Sequence, residues 1–327
     1  MRKILAFILV AVVIASGCLE DSDNNATSDA TPTTISSETG FLEELGKVSP
    51  SDPLCGMNPN VSVSHFIDPL REDYSISPAE PEFPVPGGSL AGQTLEVSPK
   101  GVSSKVYVSV FAYPDSYSAT EALAELKEKL NRLGNSTDEF KWEGKNALYS
   151  AFTTYFGGFY LIVVFQVPYG EDGLNMAEYA LNEVMFHVMW VGPSPEKMLG
   201  LFMHTEIVNK TGRSRVFSGD LLSESGFTPE GARIEVAVYR EGCGQEVYRE
   251  LKSKIEKIGF TEKSLPPLNS RDPAGKVVER TYFEGNGGVY IELYDGPGMD
   301  RVMLLYGNES AVKAAVQKIW SGEGTFD

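Results

Sequence analysis

Apolar residues recur at i, i+4, i+8 and i+11 in Ala122, Leu126, Leu130 and Leu133, and again in Val247, Leu251, Ile255 and Ile258. That spacing draws one apolar stripe along an amphipathic helix. Segments 121–134 and 246–259 align without a gap, and Gly134 and Gly259 close them where a left-handed cap is expected. Before each helix, alternation in 106–111 and 234–239 predicts a strand. After it, Thr154, Tyr155 and Phe156 correspond to Thr281, Tyr282 and Phe283, and paired glycines lead on to strands 159–164 and 289–294. Val188 and Met189 then correspond to Val302 and Met303, with Gly192 and Gly307 just beyond. Helix-start contexts follow at Ser194-Pro195-Glu196 and Asn308-Glu309-Ser310.

Five collinear matches predict a tandem duplication of a β-α-β-β-β-α unit. Strands joined by tight glycine turns pair antiparallel. Two helices over one sheet face then make each unit a two-layer α+β sandwich. The expected boundaries are 89–208 for the first unit and 209–327 for the second. Segment 171–184 reads as an insertion in the first unit, with Leu174, Ala177, Leu181 and Val184 at helical spacing. The second unit has the turn Asp295-Gly296-Pro297-Gly298 in its place.

Alternation also sorts the strand faces. Ile234, Val236, Val238, Val289, Ile291 and Leu293 are expected under the helices of the second unit, with Glu235, Tyr239, Tyr290, Glu292 and Tyr294 opposite. This carboxylate–tyrosine set is the candidate partner-contact face and the one expected to be exposed. The matching set in the first unit, Tyr107, Phe111, Tyr160, Ile162 and Val164, is apolar. It is expected to be covered within the chain, because large apolar patches rarely stay bare on monomers. A pocket for an apolar ligand between the units is the competing expectation.

Upstream, the pattern changes character. Arg2 and Lys3 precede an uncharged apolar run from 4 to 15, and Ala15-Ser16-Gly17 lead into Cys18. The run is shorter than the about 20 residues a spanning helix needs, and it has the layout of an export signal. The Cys directly after Ala-Ser-Gly resembles the lipobox of bacterial and archaeal lipoproteins. That resemblance implies cleavage after residue 17, lipidation of Cys18 and a prokaryotic protein held at the outer face of the cytoplasmic membrane or cell surface. Residues 18–40 are too polar to bury a core and read as a tether. Residues 41–88, with a proline-rich run from 78 to 86, read as an extension over the folded body.

Composition narrows the partners. The net charge of −17 repels phosphate backbones, so nucleic acid is excluded as a partner, and it holds the globule off anionic headgroups. With Cys18 lipidated, Cys55 and Cys243 remain as a candidate disulfide in an oxidising compartment or as two free thiols. Five Asn-x-Ser/Thr sequons stand at Asn25, Asn60, Asn135, Asn209 and Asn308, a weak sign of an exported surface protein.

Catalytic signatures are weak. His65, His187 and His204 show no metal-ligand spacing, so no metal site and no cofactor are expected. Gly285-Asn286-Gly287-Gly288 lies between two strands and opens no helix, which makes it a hairpin rather than a phosphate loop. The leading expectation is a lipid-anchored, non-enzymatic module that binds an unidentified protein or small-molecule ligand. An exported hydrolase using carboxylates is the alternative. A transporter's solute-binding receptor ranks third, since its alternating β/α lobes do not match two antiparallel units.

Overall fold

A computed structural model describes residues 35–80, 83, 86–100, 103–171, 173–188, 194–200, 207–265, 279–296 and 298–320. Two helices, α1 (Ile35–Leu45) and α2 (Pro59–Asp73), precede the first sheet. Its strands are β1 (Ser75–Pro78), β2 (Ala91–Ser98), β3 (Val106–Tyr113), β4 (Gly134–Asp138), β5 (Lys141–Gly144), β6 (Ala147–Phe156) and β7 (Phe159–Pro168). Helix α3 (Ser116–Leu133) follows β3, and α4 (Gly173–Val188) follows β7. The strands pair antiparallel in the order β1-β2-β3-β7-β6-β5-β4.

After the short helix α5 (Pro195–Gly200) the pattern repeats. The second sheet holds β8 (Val208–Gly212), β9 (Leu222–Phe227), β10 (Arg233–Arg240), β11 (Thr261–Lys263), β12 (Glu279–Gly285), β13 (Gly287–Gly296) and β14 (Met299–Gly307). Helix α6 (Cys243–Lys257) follows β10, and α7 (Glu309–Trp320) follows β14. Read from β8, the order β8-β9-β10-β14-β13-β12-β11 reproduces that of the first sheet strand for strand. The chain is a duplicated α+β protein built of two antiparallel seven-stranded sheets with helices.

The repeat is larger than the matched unit, and the matching shifts by one strand. Topology pairs β6 with β13 and β7 with β14, so Thr154–Phe156 on β6 and Thr281–Phe283 on β12 are not equivalent. The expected insertion at 171–184 is therefore none: its residues 173–184 lie in α4, the counterpart of α7. Val188 ends α4 and has no counterpart on β14, and Met189 lies outside the described residues. Short Tyr/Phe-rich strands resemble each other whether or not they are equivalent.

Local chemistry explains the helix ends. The Asp115 carboxylate accepts from the Ser118 N–H at 2.8 Å and starts α3. Gly259 has φ +101°, whereas Gly134 is extended and runs straight into β4. A Cβ at Gly134 would lie 2.5 Å from the Glu143 carbonyl oxygen, so close approach of strand β5 requires this glycine. Helix α6 begins at Gly242 without a side-chain cap of its own, and Asp300 on β14 accepts from the Gly244 N–H at 2.9 Å instead.

The helices of a unit divide between the two faces of its sheet instead of sharing one. In the first unit α3 covers one face, while α2 and α4 cover the other through Val63, Phe66, Ile67, Leu70, Ala177, Leu181 and Val184. In the second, α7 covers one face, and α6 with Leu45 of α1 covers the other. The units stack front to back, because the α3 side of the first sheet and the α7 side of the second meet in one core. Phe111, Tyr160, Ile162 and Val164 are buried there, so this face is covered within the chain, by α3 and the second unit. Among the described residues, side chains of both units pack into this one core, where the sequence pattern also allowed an apolar pocket.

The segment between α1 and α2 ties the stack together. Val48 pairs in parallel with Phe217, and Cys55 is bonded to Cys243 at the start of α6 across 188 residues. Arg240 is buried against the Phe159 ring, 4.6 Å from its centroid, and donates to the carbonyls of Pro53 and Pro114. Tyr117 on α3 donates to the Ser223 carbonyl at 3.0 Å and accepts from the Ser223 N–H at 2.9 Å, joining the units at a second point.

Candidate interaction surface

The five residues of the expected contact face form neither one face nor an exposed one. Glu235 is 1% exposed and Glu292 3%, and Tyr239, Tyr290 and Tyr294 are buried as well. Tyr239 packs in the outer core under α6, and Tyr290 and Tyr294 in the core between the units. The reason is register. Alternation orders residues within a strand, but β14 lies between β10 and β13 and sets their relative phase. Val236 pairs with Met303 and Met303 with Glu292, so Glu292 shares the face of Val236, opposite Glu235.

Each buried carboxylate is held by neighbours. Glu292 accepts from Tyr290 at 2.8 Å and from Arg301 at 3.1 Å. Glu235 accepts from the Arg215 N–H at 3.1 Å, and burial pushes its carboxyl above the usual range. Burial likewise raises Asp300 to about 6, against the pull of the Gly244 N–H. Glu235 and Glu292 point to opposite sides of a sheet and cannot flank one glycosidic bond. A surface groove of about 390 Å³ at Phe41, Ile258, Phe260 and Asn286 has Glu44 as its one carboxylate.

The exposed chemistry lies on the α2/α4 layer. Burying Ala177, Leu181 and Val184 turns Tyr179 and Phe186, seven residues apart, toward the opposite side of α4. Phe186 is 70% exposed and Tyr179 55%, the two largest values for large apolar side chains among the described residues. Beside them, Tyr74 sets its ring edge-on to His187 at 5.0 Å, and its hydroxyl lies 3.5 Å from Glu183 Oε1. His187 Nδ1 is 3.2 Å from Asp73. Partial burial, then Glu183 and Asp73, push the Tyr74 phenol up to about 12, which records the negative field over this surface. Glu72 and Glu178 are also exposed, and Arg71 is paired with Asp68 at 3.3 Å. The arrangement offers an aromatic contact area ringed by carboxylates.

Read as an insertion, 171–184 has no counterpart in the repeat pattern and so carries no expected surface. The available signal was Tyr179 and Phe186 on the polar side of an amphipathic pattern. Cys18 lies outside the described residues. Among the described residues no helix is long and apolar enough to cross a membrane. No protein family, curated protein or solved structure matches this chain.

Proposed function

We propose that the protein is a lipid-anchored extracytoplasmic module that binds a partner protein without catalysis, through the α4 surface. The observation that carries the binding role is the exposure of Phe186 and Tyr179 on one helix, since apolar area that a monomer leaves bare marks contact sites. The carboxylates around it select a partner segment that is cationic and carries apolar side chains, and they disfavour a second copy of this acidic chain or an anionic membrane. The Cys55–Cys243 bond supports an oxidising compartment, in keeping with the export pattern before Cys18.

Crosslinking on intact cells from a photoreactive residue at Asn182, exposed on the same helix, tests the surface. The expected product is one dominant conjugate that Phe186→Ala with Tyr179→Ala removes. A conjugate unaffected by both substitutions would place the contact elsewhere. Replacing Cys18 by Ala tests the anchor, and the protein should then leave the membrane fraction or remain unprocessed.

A further inference from the structure

We infer that the open edges of the two sheets carry N-linked glycans, at Asn135 and Asn209. Each seven-stranded sheet has two edge strands, β1 and β4 in the first, β8 and β11 in the second. An edge strand presents unpaired backbone groups to any other chain, and proteins blunt such edges with proline, charge or brevity. Strand β1 ends in Pro78. Strand β11 is three residues long, and its Glu262 and Lys263 are paired with Lys252 and Glu284.

Strands β4 and β8 lack a proline and are longer, five residues each, with four of the five exposed in both. Among the described residues no strand pairs with their outer sides. Each carries a sequon, Asn135-Ser136-Thr137 on β4 and Asn209-Lys210-Thr211 on β8. Asn209 has φ +48° inside a register break between Val208 and Gly212, which takes it out of the ladder with β9. Lys210 is tied back to Glu224 at 2.9 Å.

The frequency of sequons points the same way. Ser and Thr make up 46 of 327 residues, so 13 asparagines are expected to yield about two sequons by chance, and the chain has five. Thr137 bonds to the Lys141 carbonyl and Thr211 to the Ser225 hydroxyl, yet both stay exposed on their strands, whereas the other two described sequons have a buried hydroxyl or the asparagine itself engaged by the fold. Ser62 of the Asn60 sequon is buried and donates to the Gly157 carbonyl at 2.7 Å. Asn308 accepts from the Ser310 N–H at 2.9 Å at the start of α7.

The modification uses a lipid-phosphate-linked oligosaccharide supplied by the exporting cell. The asparagine amide nitrogen forms a C–N bond to the anomeric carbon. The sugar–oxygen bond to phosphate breaks with its electron pair on the departing lipid phosphate, and the amide nitrogen releases one proton. A bulky hydrophilic group then stands over each open edge.

This inference rests on the export reading, and peptide mass mapping of the chain purified from its own cells separates the two. The expected result is one glycan on each of the peptides containing Asn135 and Asn209. Thr137→Ala and Thr211→Ala should each remove one glycan mass while leaving the asparagine in place. Unmodified Asn135 and Asn209 in a chain whose Cys18 carries lipid would overturn the inference and leave the export reading intact. Glycans at Asn60 or Asn308 with both edges bare would overturn it equally. An uncut N-terminus without lipid or glycan would overturn both.

Discussion

Helices α4 and α7 close the two units at equivalent points of one topology, yet they present different surfaces. Helix α7 exposes Lys313, Gln317 and Lys318, with Lys313 paired to Glu284 and Lys318 to Glu230. Helix α4 exposes Tyr179, Asn182, Glu183 and Phe186. The fold therefore does not require aromatic residues on the outer side of its last helix, which makes their presence on α4 a property of the first unit alone. The inward faces differ in a complementary way. The first sheet contributes Phe111, Ile162 and Val164 to the central core, and the second adds the Glu292–Arg301 pair, both side chains nearly inaccessible. Copies with one strand order have thus received different chemistry on both sides.

The inward difference gives the largest expected effect. Glu292→Ala or Arg301→Ala should lower stability by about 3–5 kcal/mol, because each leaves a buried charge without its counterpart. Replacing both by Met should cost far less, bringing the second face to the apolar character of the first. Urea denaturation of the three variants decides it, and equal losses for single and double replacement would assign the cost to packing instead.

Next comes the clip on the second unit. Replacing Cys55 and Cys243 together by Ala should cost about 2–5 kcal/mol, since the bond closes a loop of 188 residues in the unfolded chain. The same fall in urea midpoint is expected when the unaltered chain is reduced.

A pH effect of up to about 3 kcal/mol should come from Asp300, whose carboxyl is raised from 3.8 to about 6 by burial. The folded state binds the proton more tightly than the unfolded state. The contribution is therefore full below about 4 and is lost as pH rises through about 6. Glu235, also raised, acts in the same direction. Asp300→Asn should flatten the dependence of stability on pH between 4 and 6, read as urea midpoints across that range. An unchanged slope would assign the titration to other groups.

The smallest stability effect belongs to the exposed side chains of α4. Phe186→Ala and Tyr179→Ala should shift stability by no more than about 0.5 kcal/mol while removing the crosslinked partner. Lys313→Ala and Lys318→Ala on α7 should leave partner capture unchanged. Loss of capture in the α7 variants would sink the distinction between the two surfaces.

The repeat was legible because the α3 and α6 stripes keep their spacing and their flanking strands keep alternation. Strand equivalence was not, because Thr-Tyr-Phe occurs on β6 and β12 for the general reason that such residues suit strands. The candidate surface was half legible. The apolar stripe of α4 is plain in Leu174, Ala177, Leu181 and Val184, but only its packing on the first sheet shows that Tyr179 and Phe186 stand exposed.

By itself the sequence determined the α+β class, the duplication, the helix stripes and the parity of side chains along each strand. These follow from local periodicity, which is written into neighbouring residues. Tertiary structure alone decided that β14 lies between β10 and β13, and hence that Glu235 and Glu292 look to opposite sides. It also decided that the aligned helices α3 and α6 fill different layers, one in the core between the units and one beneath the N-terminal strap. Register and stacking depend on pairings across tens to hundreds of residues, set by the summed burial of whole faces, and no local pattern encodes that sum.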